Sequence, residues 1–229
     1  MPFDASKFTV PIAKPLPIVL LLDTSGSMSG SKIDNLNQAV KEMLAAFAQE
    51  EKMETEILVS IITFGEQVNL YVPFTKASEV IWRDMSANGM TPMGTALQMA
   101  KAMIEDKGTT PSRAYRPTVV LVSDGQPNDS WEQPLNDFIH DGRSSKCDRM
   151  ALAIGADADR NVLTRFVEGI GNPLFEANQA SKIHEFFNRV TMSVTMRARS
   201  KNPNESILLS NTNPSPIPFT PTTNDEDIW

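Results

Sequence analysis

Apolar residues recur along this chain in two spacings, one typical of buried strands and the other typical of amphipathic helices. Residues 16–22 are a continuous apolar run rich in branched side chains, which predicts a strand covered on both faces. The next apolar positions, from Ile33 to Phe47, recur every three or four residues and predict a helix with one buried face. The same alternation predicts further strands at residues 57–64, 118–122 and 150–154 and near Leu174, and helices around residues 93–104, 131–139, 162–170 and 183–194.

This alternation also predicts the fold class. Buried strands separated by amphipathic helices indicate an α/β fold, doubly wound, with a mostly parallel central sheet and helices on both faces. One strand is an exception, because Gly65-Glu66 turns the chain directly from residues 57–64 into residues 68–74, which are predicted as an antiparallel edge strand. In such sheets ligands bind at the carboxyl ends of the strands, near the point where the strand order reverses.

The N-terminal residues do not follow the pattern of the body. Residues 1–13 are predicted to form an N-terminal arm ahead of a single domain at residues 14–198. Asp4 and the early prolines do not fit the basic start and apolar run of a secretory signal. No stretch approaches the roughly 20 apolar residues of a membrane-spanning helix. We therefore expect a cytoplasmic protein that does not cross a membrane.

Residues 199–229 are predicted to form a proline-rich tail with an acidic end. Its five prolines disfavour a helix and remove donors from any strand. The tail is expected either to be flexible or to adhere to the body as an extended strip. A docking role also stays open, because the tail carries apolar side chains that a purely solvated segment does not need, namely Ile217, Phe219, Ile228 and Trp229.

Composition removes several classes of function. The chain has 229 residues and a formal net charge of −7, which argues against non-specific binding to nucleic acid. Its one cysteine, Cys147, excludes an internal disulfide framework and a cysteine-based zinc ribbon. With only two histidines, His140 and His184, a histidine-rich metal site is not expected.

Two of the predicted buried strands end at an aspartate, Asp23 and Asp124. If both strands are parallel and central, the two carboxylates emerge at the same edge of the sheet. There they repel each other and raise each other's pKa unless a cation lies between them. Ser25 and Ser27 follow Asp23 in a short loop, and Thr91 precedes a predicted helix. These hard oxygen ligands favour Mg²⁺, Mn²⁺ or Ca²⁺ over zinc or copper.

Together these motifs resemble the von Willebrand factor A (vWA) domain family. Residues 23–27, Asp-Thr-Ser-Gly-Ser, match its Asp-x-Ser-x-Ser motif, while Thr91 and Asp124 match its separate threonine and its strand-end aspartate. The motifs occur in the family's order, and the resemblance covers residues 14–198. It implies a Rossmann-like fold and a metal-ion-dependent adhesion site (MIDAS). In such a site Ser25, Ser27 and Thr91 would contact the ion directly, and Asp23 and Asp124 would hold it largely through water.

The resemblance implies a module that catalyses nothing and binds a partner protein through the ion. An ion with few direct protein charges stays electrophilic, so an Asp or Glu of the partner can complete its shell. Within the family the chain is most similar to the bacterial stand-alone type found with tellurium resistance (TerY-like), on residues 20–28, 89–97 and 122–127. That similarity implies a scaffold or adaptor in a stress-response, tellurite-resistance or phage-defence system, with kinase and phosphatase partners.

Two other functions stay open for the same residues. A metal-dependent phosphohydrolase could use the ion as a Lewis acid, but it needs a base or nucleophile that the sequence does not display. Alternatively, Asp23 could cap the turn that follows it, and the domain would then have only a structural role. For the protein-binding function, the tail acids Asp225, Glu226 and Asp227 could occupy the metal site of the same molecule or of a neighbour.

Two smaller features also have alternative interpretations. Asp157 and Asp159 partly match a calcium-binding loop, but Asp159 fits better as the N-cap of a helix. Met28, Met90 and Met93 lie near the metal loops in the sequence, where they either pack in the core or form an adaptable apolar rim around the ion.

Overall fold

The protein is represented by a computed structural model that describes residues 13–50, 55–205 and 207. Most of the predicted N-terminal arm and most of the predicted tail, including Asp225, Glu226 and Asp227, lie outside the described residues. The strands are β1 (Lys14–Asp23), β2 (Thr55–Phe64), β3 (Val68–Lys76), β4 (Thr118–Ser123), β5 (Asp148–Ile154) and β6 (Leu174–Ala177). The helices are α1 (Ser31–Glu50), α2 (Met93–Glu105), α3 (Glu132–His140), α4 (Arg160–Phe166) and α5 (Ala180–Arg199).

The six strands form one sheet in the order β3-β2-β1-β4-β5-β6. All neighbouring pairs are parallel except β2 with β3, which is antiparallel and places β3 at an edge. The chain moves from β1 outward to β3 and then returns to β4 on the other side of β1. The strand order therefore reverses between β1 and β4, and this is the point at which an open α/β sheet binds its ligands.

The side chains of β1 show why helices are needed on both faces. Leu16, Ile18, Leu20 and Leu22 face one buried cluster, which includes the inner residues of α1 and α5. Val19 and Leu21 face a second cluster, built with α2, α3 and α4. Every residue of β1 from Pro15 to Asp23 is buried, as expected for a strand covered on both sides. The predicted fold class is confirmed.

One predicted helix is shorter than its apolar pattern indicates. Apolar positions through Ile170 predict a longer helix, but α4 ends at Phe166. There the backbone tightens, because Val167 N donates to Thr164 O, three residues back, at 3.2 Å. Val167 is nevertheless buried, so an apolar position can face the core without being helical. At the other end of α4, Asp159 accepts hydrogen bonds from the backbone of Asn161 and Val162, which confirms the N-cap interpretation.

A buried arginine lies at the amino ends of the central strands. Arg197 of α5 is fully buried, and its guanidinium donates to Thr118 Oγ1 (2.6 Å) and to the carbonyls of Arg116 (2.5 Å) and Pro203 (2.8 Å). Its Nη1 also lies 3.9 Å from Asp148 Oδ2. Since Pro203 follows α5, this arginine attaches the start of the C-terminal segment to the sheet edge opposite to the carboxyl ends.

Candidate metal site

The two strand-end aspartates come together at the carboxyl edge of the sheet. β1 and β4 are parallel neighbours with Leu22 opposite Val122, so Asp23 and Asp124 follow the same edge. Both are removed from solvent, with Asp23 0% and Asp124 1% exposed. Two buried carboxylates at one edge are electrostatically costly, so the surrounding donors and cations decide what the site can do.

Asp23 is held by hydrogen bonds at both oxygens. Its Oδ1 accepts from the Ser25 backbone N–H at 2.8 Å, and its Oδ2 accepts from the Ser123 hydroxyl at 2.5 Å. Burial nevertheless raises the pKa of this carboxyl above its usual value, and the Asp124 charge adds to the rise. The hydrogen bonds fix the orientation of the carboxyl group. A cation that neutralises the Asp23 charge would stabilise the site.

A chain of hydroxyls connects the first loop to Asp124. Ser25 Oγ lies 2.9 Å from Ser27 Oγ, and Ser27 Oγ donates to Asp124 Oδ1 at 2.7 Å. The loop is short and turns immediately after β1, with Gly26 N donating to the carbonyl of Gly89 at 3.0 Å. This backbone bond joins the serine loop to the loop that carries Thr91.

Thr91 is positioned through its backbone. Its N–H donates to Asn128 Oδ1 at 2.9 Å, and its carbonyl accepts from Asn128 N at 3.1 Å. A Cβ placed on Gly125 would lie 3.6 Å from Thr91 Oγ1 and 3.8 Å from Ser27 Oγ. Both hydroxyls therefore border the same point above Asp124, where a third hard oxygen can join those of the serine loop.

The Thr91 loop also depends on glycine at position 89. Gly89 has a φ of 80°, which non-glycine residues rarely adopt, and a Cβ there would overlap the backbone of Glu66. Asn88 continues the contact, since its Nδ2 donates to Glu66 Oε2 at 3.0 Å and its N donates to Thr24 O at 2.8 Å. Close packing of three backbone segments thus holds Thr91 beside the serine loop.

One cation of the chain lies at the site. Lys32, in the first turn of α1, places Nζ 2.5 Å from Asp124 Oδ2 and 3.3 Å from the carbonyl of Ser27. The lysine side chain is 33% exposed, whereas that of Asp124 is fully buried. Asp124 therefore has one oxygen toward the hydroxyls and the other toward an ammonium at the surface.

The donor set fits a hard divalent cation. The hydroxyls of Ser27 and Thr91 border the point next to Asp124, and Ser25 Oγ lies 2.9 Å from Ser27 Oγ. Both oxygens of Asp23 are already engaged in hydrogen bonds. An aspartate engaged in this way suits a contact through water better than direct ligation. Within the described residues, no three His, Cys, Asp or Glu side chains gather as they would in a zinc-type site.

All five residues predicted from the sequence lie at this edge, and the structure gives roles at the site to three more that were not predicted to hold the ion. Ser123 orients Asp23, Asn128 orients Thr91, and Lys32 pairs with Asp124. The first two lie within four positions of Asp124 in sequence, which was the available signal for them. Of the three methionines for which core packing and an apolar rim were both open, Met28 and Met93 are fully buried, as core packing requires, whereas Met90 is 62% exposed.

The fold is that of one protein family. The von Willebrand factor type A domain family matches residues 18–189, and the chain belongs to this family. It is a family of metal-binding, protein-interaction domains with a Rossmann-like sheet.

Among curated proteins, the chain is similar to the inter-alpha-trypsin inhibitor heavy chain H6 of Homo sapiens. The two are 22% identical over an alignment 182 residues long, which covers 72% of this chain and 13% of the human protein. Bos taurus heavy chain H3 is also 22% identical, over 85% of this chain and 23% of the bovine protein. The chain thus spans less than a quarter of the curated relatives it matches.

Solved structures share the fold at low identity. A von Willebrand factor type A protein from Catenulispora acidiphila superimposes with a TM-score of 0.63 and 20% identity, over 80% of this chain and 43% of that one. Proximal thread matrix protein 1 of the mussel byssus, described with a zinc-occupied MIDAS motif, gives a TM-score of 0.58 and 15% identity, over 83% and 47% of the two chains. Separately, none of the helices in the described part of this chain has the length and apolar character needed to span a membrane.

Proposed function

We propose that this protein is a metal-dependent protein-binding module that catalyses nothing. The observation that carries the proposal is the convergence of three hydroxyls and two buried aspartates at the point where the strand order reverses. Ser25, Ser27 and Thr91 would contact the ion, and Asp23 and Asp124 would hold it through water. Such an ion keeps much of its charge, so an Asp or Glu of a partner protein is its natural further ligand.

Mg²⁺ is the proposed ion, with Mn²⁺ or Ca²⁺ as substitutes, because every donor is a hard oxygen. The zinc described in the mussel protein supports a divalent cation in a site of this type. Catalysis is not part of the proposal. A phosphohydrolase needs a free base or nucleophile beside the ion, and both oxygens of Asp23 and of Asp124 already have partners in Ser25, Ser123, Ser27 and Lys32.

The cellular role proposed is that of a cytoplasmic scaffold or adaptor in a bacterial stress-response, tellurite-resistance or phage-defence system. Its support is the likeness of residues 20–28, 89–97 and 122–127 to the TerY-like type of this family. By the same likeness, the partners are a kinase and a phosphatase.

The chain's own acidic end is one proposed source of the captured carboxylate. Residues 206–225 can extend over at most about 70 Å, roughly twice the length of β1 at about 3.3 Å per residue. That reach allows Asp225, Glu226 or Asp227 to arrive at the metal site of the same molecule or a neighbour, although the segment starts near Arg197 at the opposite edge.

The test measures Mg²⁺ and Mn²⁺ binding by calorimetry, and partner capture from the native cell with and without a chelator. Thr91→Val, which replaces the hydroxyl with a methyl group, should weaken metal binding at least about tenfold and abolish capture. Ser29→Ala is the matched control, because Ser29 lies in the same loop but its hydroxyl bonds to Gly26 O. Capture that persists in chelator would overturn the proposal.

A second arm addresses the tail in the full-length chain. Asp225→Asn, Glu226→Gln and Asp227→Asn together remove the acids but leave Pro203 and its contact with Arg197 in place. If the tail occupies the site, the combined variant should capture more partner than the wild-type chain at the same Mg²⁺ concentration. Equal capture would exclude the tail without affecting the metal-dependent function.

A further inference from the structure

The two oxygens of the Asp124 carboxylate accept hydrogen bonds from different kinds of donor, and Lys32 is one of them. Oδ1 accepts the Ser27 hydroxyl at 2.7 Å, on the side where the proposed ion would lie. Oδ2 accepts a hydrogen bond from the Lys32 ammonium at 2.5 Å, and the same ammonium lies 3.3 Å from Ser27 O. The ammonium therefore contacts a predicted ion-holding residue without occupying the hydroxyl side of the site.

We infer that Lys32 is a built-in cation of the metal site, which compensates Asp124 in the metal-free protein and lowers the affinity for the divalent ion. The inference rests on the proposed function and adds to it a residue that sets metal affinity. The family motif does not include position 32, and nothing in the local sequence pattern assigns it a role.

Formal charges explain both halves of the inference. Asp23 and Asp124 contribute −2, and Lys32 reduces this to −1, so the metal-free site holds one uncompensated charge rather than two. A divalent ion then brings the sum to +1, whereas without the lysine the sum would be zero. The surplus charge opposes the ion through Coulomb repulsion across Asp124, and it favours an anionic partner group as the further ligand.

Lys32 is suited to this role by its exposure. The side chain is one-third exposed, so replacing it leaves no large cavity and the variant should fold. Its partner carboxylate is fully buried, so Asp124 experiences the charge with little solvent screening. An ion pair between two exposed groups would be screened and would change metal affinity little.

The experiment titrates Mn²⁺ into the full-length chain by calorimetry and measures the thermal midpoint in chelator. Lys32→Met should bind Mn²⁺ about tenfold more tightly, and its midpoint in chelator should be lower than that of wild type. Lys32→Gln, which can still donate a hydrogen bond to Asp124 without a charge, should also bind more tightly. Lys32→Arg keeps the charge and should stay within about threefold of wild type in affinity.

The matched control is Lys76→Met. It removes a lysine from an ion pair with Glu56 (2.9 Å), which lies near the start of β2, at the end of the strand away from Asp23. It should leave Mn²⁺ affinity unchanged. Wild type that binds Mn²⁺ with the same affinity as Lys32→Met, or more tightly, would overturn the inference while leaving the proposed function intact. Wild type that binds no divalent ion would overturn the proposed function, and the inference with it.

Discussion

The two ends of the central strands both bury charge, but they compensate it differently. At the amino end, Arg197 is surrounded by acceptors of its own chain, which are two carbonyls, the Thr118 hydroxyl and the nearby Asp148 carboxylate. At the carboxyl end, Asp23 and Asp124 share hydroxyl donors and a single ammonium from a partly exposed lysine. At the amino end, groups of the chain itself compensate the buried charge, whereas the carboxyl end retains a net negative charge.

This difference distinguishes a structural cluster of buried charge from the proposed metal-binding site. Burial lowers the pKa of Arg197 to about 10, yet the guanidinium stays charged at neutral pH and its acceptors come from the fold itself. Burial raises the pKa of Asp23, and what would lower it again is a cation from outside the chain. Changes at the amino end should therefore alter stability alone, and changes at the carboxyl end should alter metal binding more than stability.

The largest expected effect is at the amino end. Arg197→Met should lower the free energy of unfolding by about 3–5 kcal/mol, because it removes a buried cation that pairs with Asp148 and donates to a hydroxyl and two carbonyls. Arg199→Met is the matched control on the same helix. Its pair with Glu50 involves an arginine side chain that is 61% exposed, so less than about 1 kcal/mol should be lost.

Chemical denaturation measures both variants. The folded Arg197→Met protein should also keep its Mn²⁺ affinity, because the proposed metal site lies at the other end of β4, about 20 Å away at the usual rise per residue. A Mn²⁺ affinity that falls along with stability would show that the two ends are coupled and would remove the distinction drawn between them.

An intermediate effect is expected from Gly89→Ala at the carboxyl end. A Cβ at this position overlaps the Glu66 backbone, and the φ of 80° adds strain, so about 2–3 kcal/mol of stability should be lost. Gly30→Ala separates the two causes, since its φ is 75° but nothing lies within 4 Å of the added Cβ. It should lose about 1–2 kcal/mol from strain alone.

The same pair of variants tests the site as well as the fold. Gly89→Ala should weaken Mn²⁺ binding in calorimetry, because the Thr91 loop must move away from the serine loop to relieve the overlap. Gly30→Ala should keep the wild-type affinity. If both variants bind Mn²⁺ like wild type, close packing of the three loops is not what positions Thr91.

The fold could be predicted from the sequence because each element has a strong local signal. The apolar run ending at Asp23 and the three- and four-residue spacing that follows it specify a strand and a helix wherever the chain folds. The limit of α4 at Phe166 was not predictable in this way, because a buried position such as Val167 has the same apolar character inside or outside a helix.

The site was predictable only as far as motifs extend. Asp23 and Asp124 lie together because parallel neighbours end at the same edge, which the sheet topology implies. The pairing of Lys32 with Asp124 joins residues 92 positions apart through the reach of a long side chain, and no periodicity reports that contact. The exposure of Met90 and the burial of Met28 likewise depend on tertiary packing, since both are methionines beside the same loops.

The smallest expected effect on stability comes from removing the charge of Asp23. The direction of this stability change is the most direct test of the difference between the two ends. Asp23→Asn keeps an acceptor for the Ser25 N–H and removes a buried charge. Because the folded-state pKa of Asp23 is raised, the wild-type carboxylate costs stability in full at pH values above that pKa, and the cost shrinks below it and disappears below the ordinary pKa of an aspartate. In chelator at neutral pH the variant should therefore have the higher thermal midpoint, and the difference should narrow as the pH falls through the raised pKa.

Asp106→Asn provides a control of opposite sign. The hydrogen bonds from Thr109 and Gly108 lower the pKa of Asp106, so its carboxylate contributes stability that is present at neutral pH and lost as the pH falls through that lowered pKa. Saturating Mg²⁺ should reverse the order for Asp23 alone, since wild type gains stability from the bound ion and Asp23→Asn gains little. If wild type is already more stable than Asp23→Asn in chelator, then groups of the chain itself compensate the buried charge at the carboxyl end, as they do at the amino end.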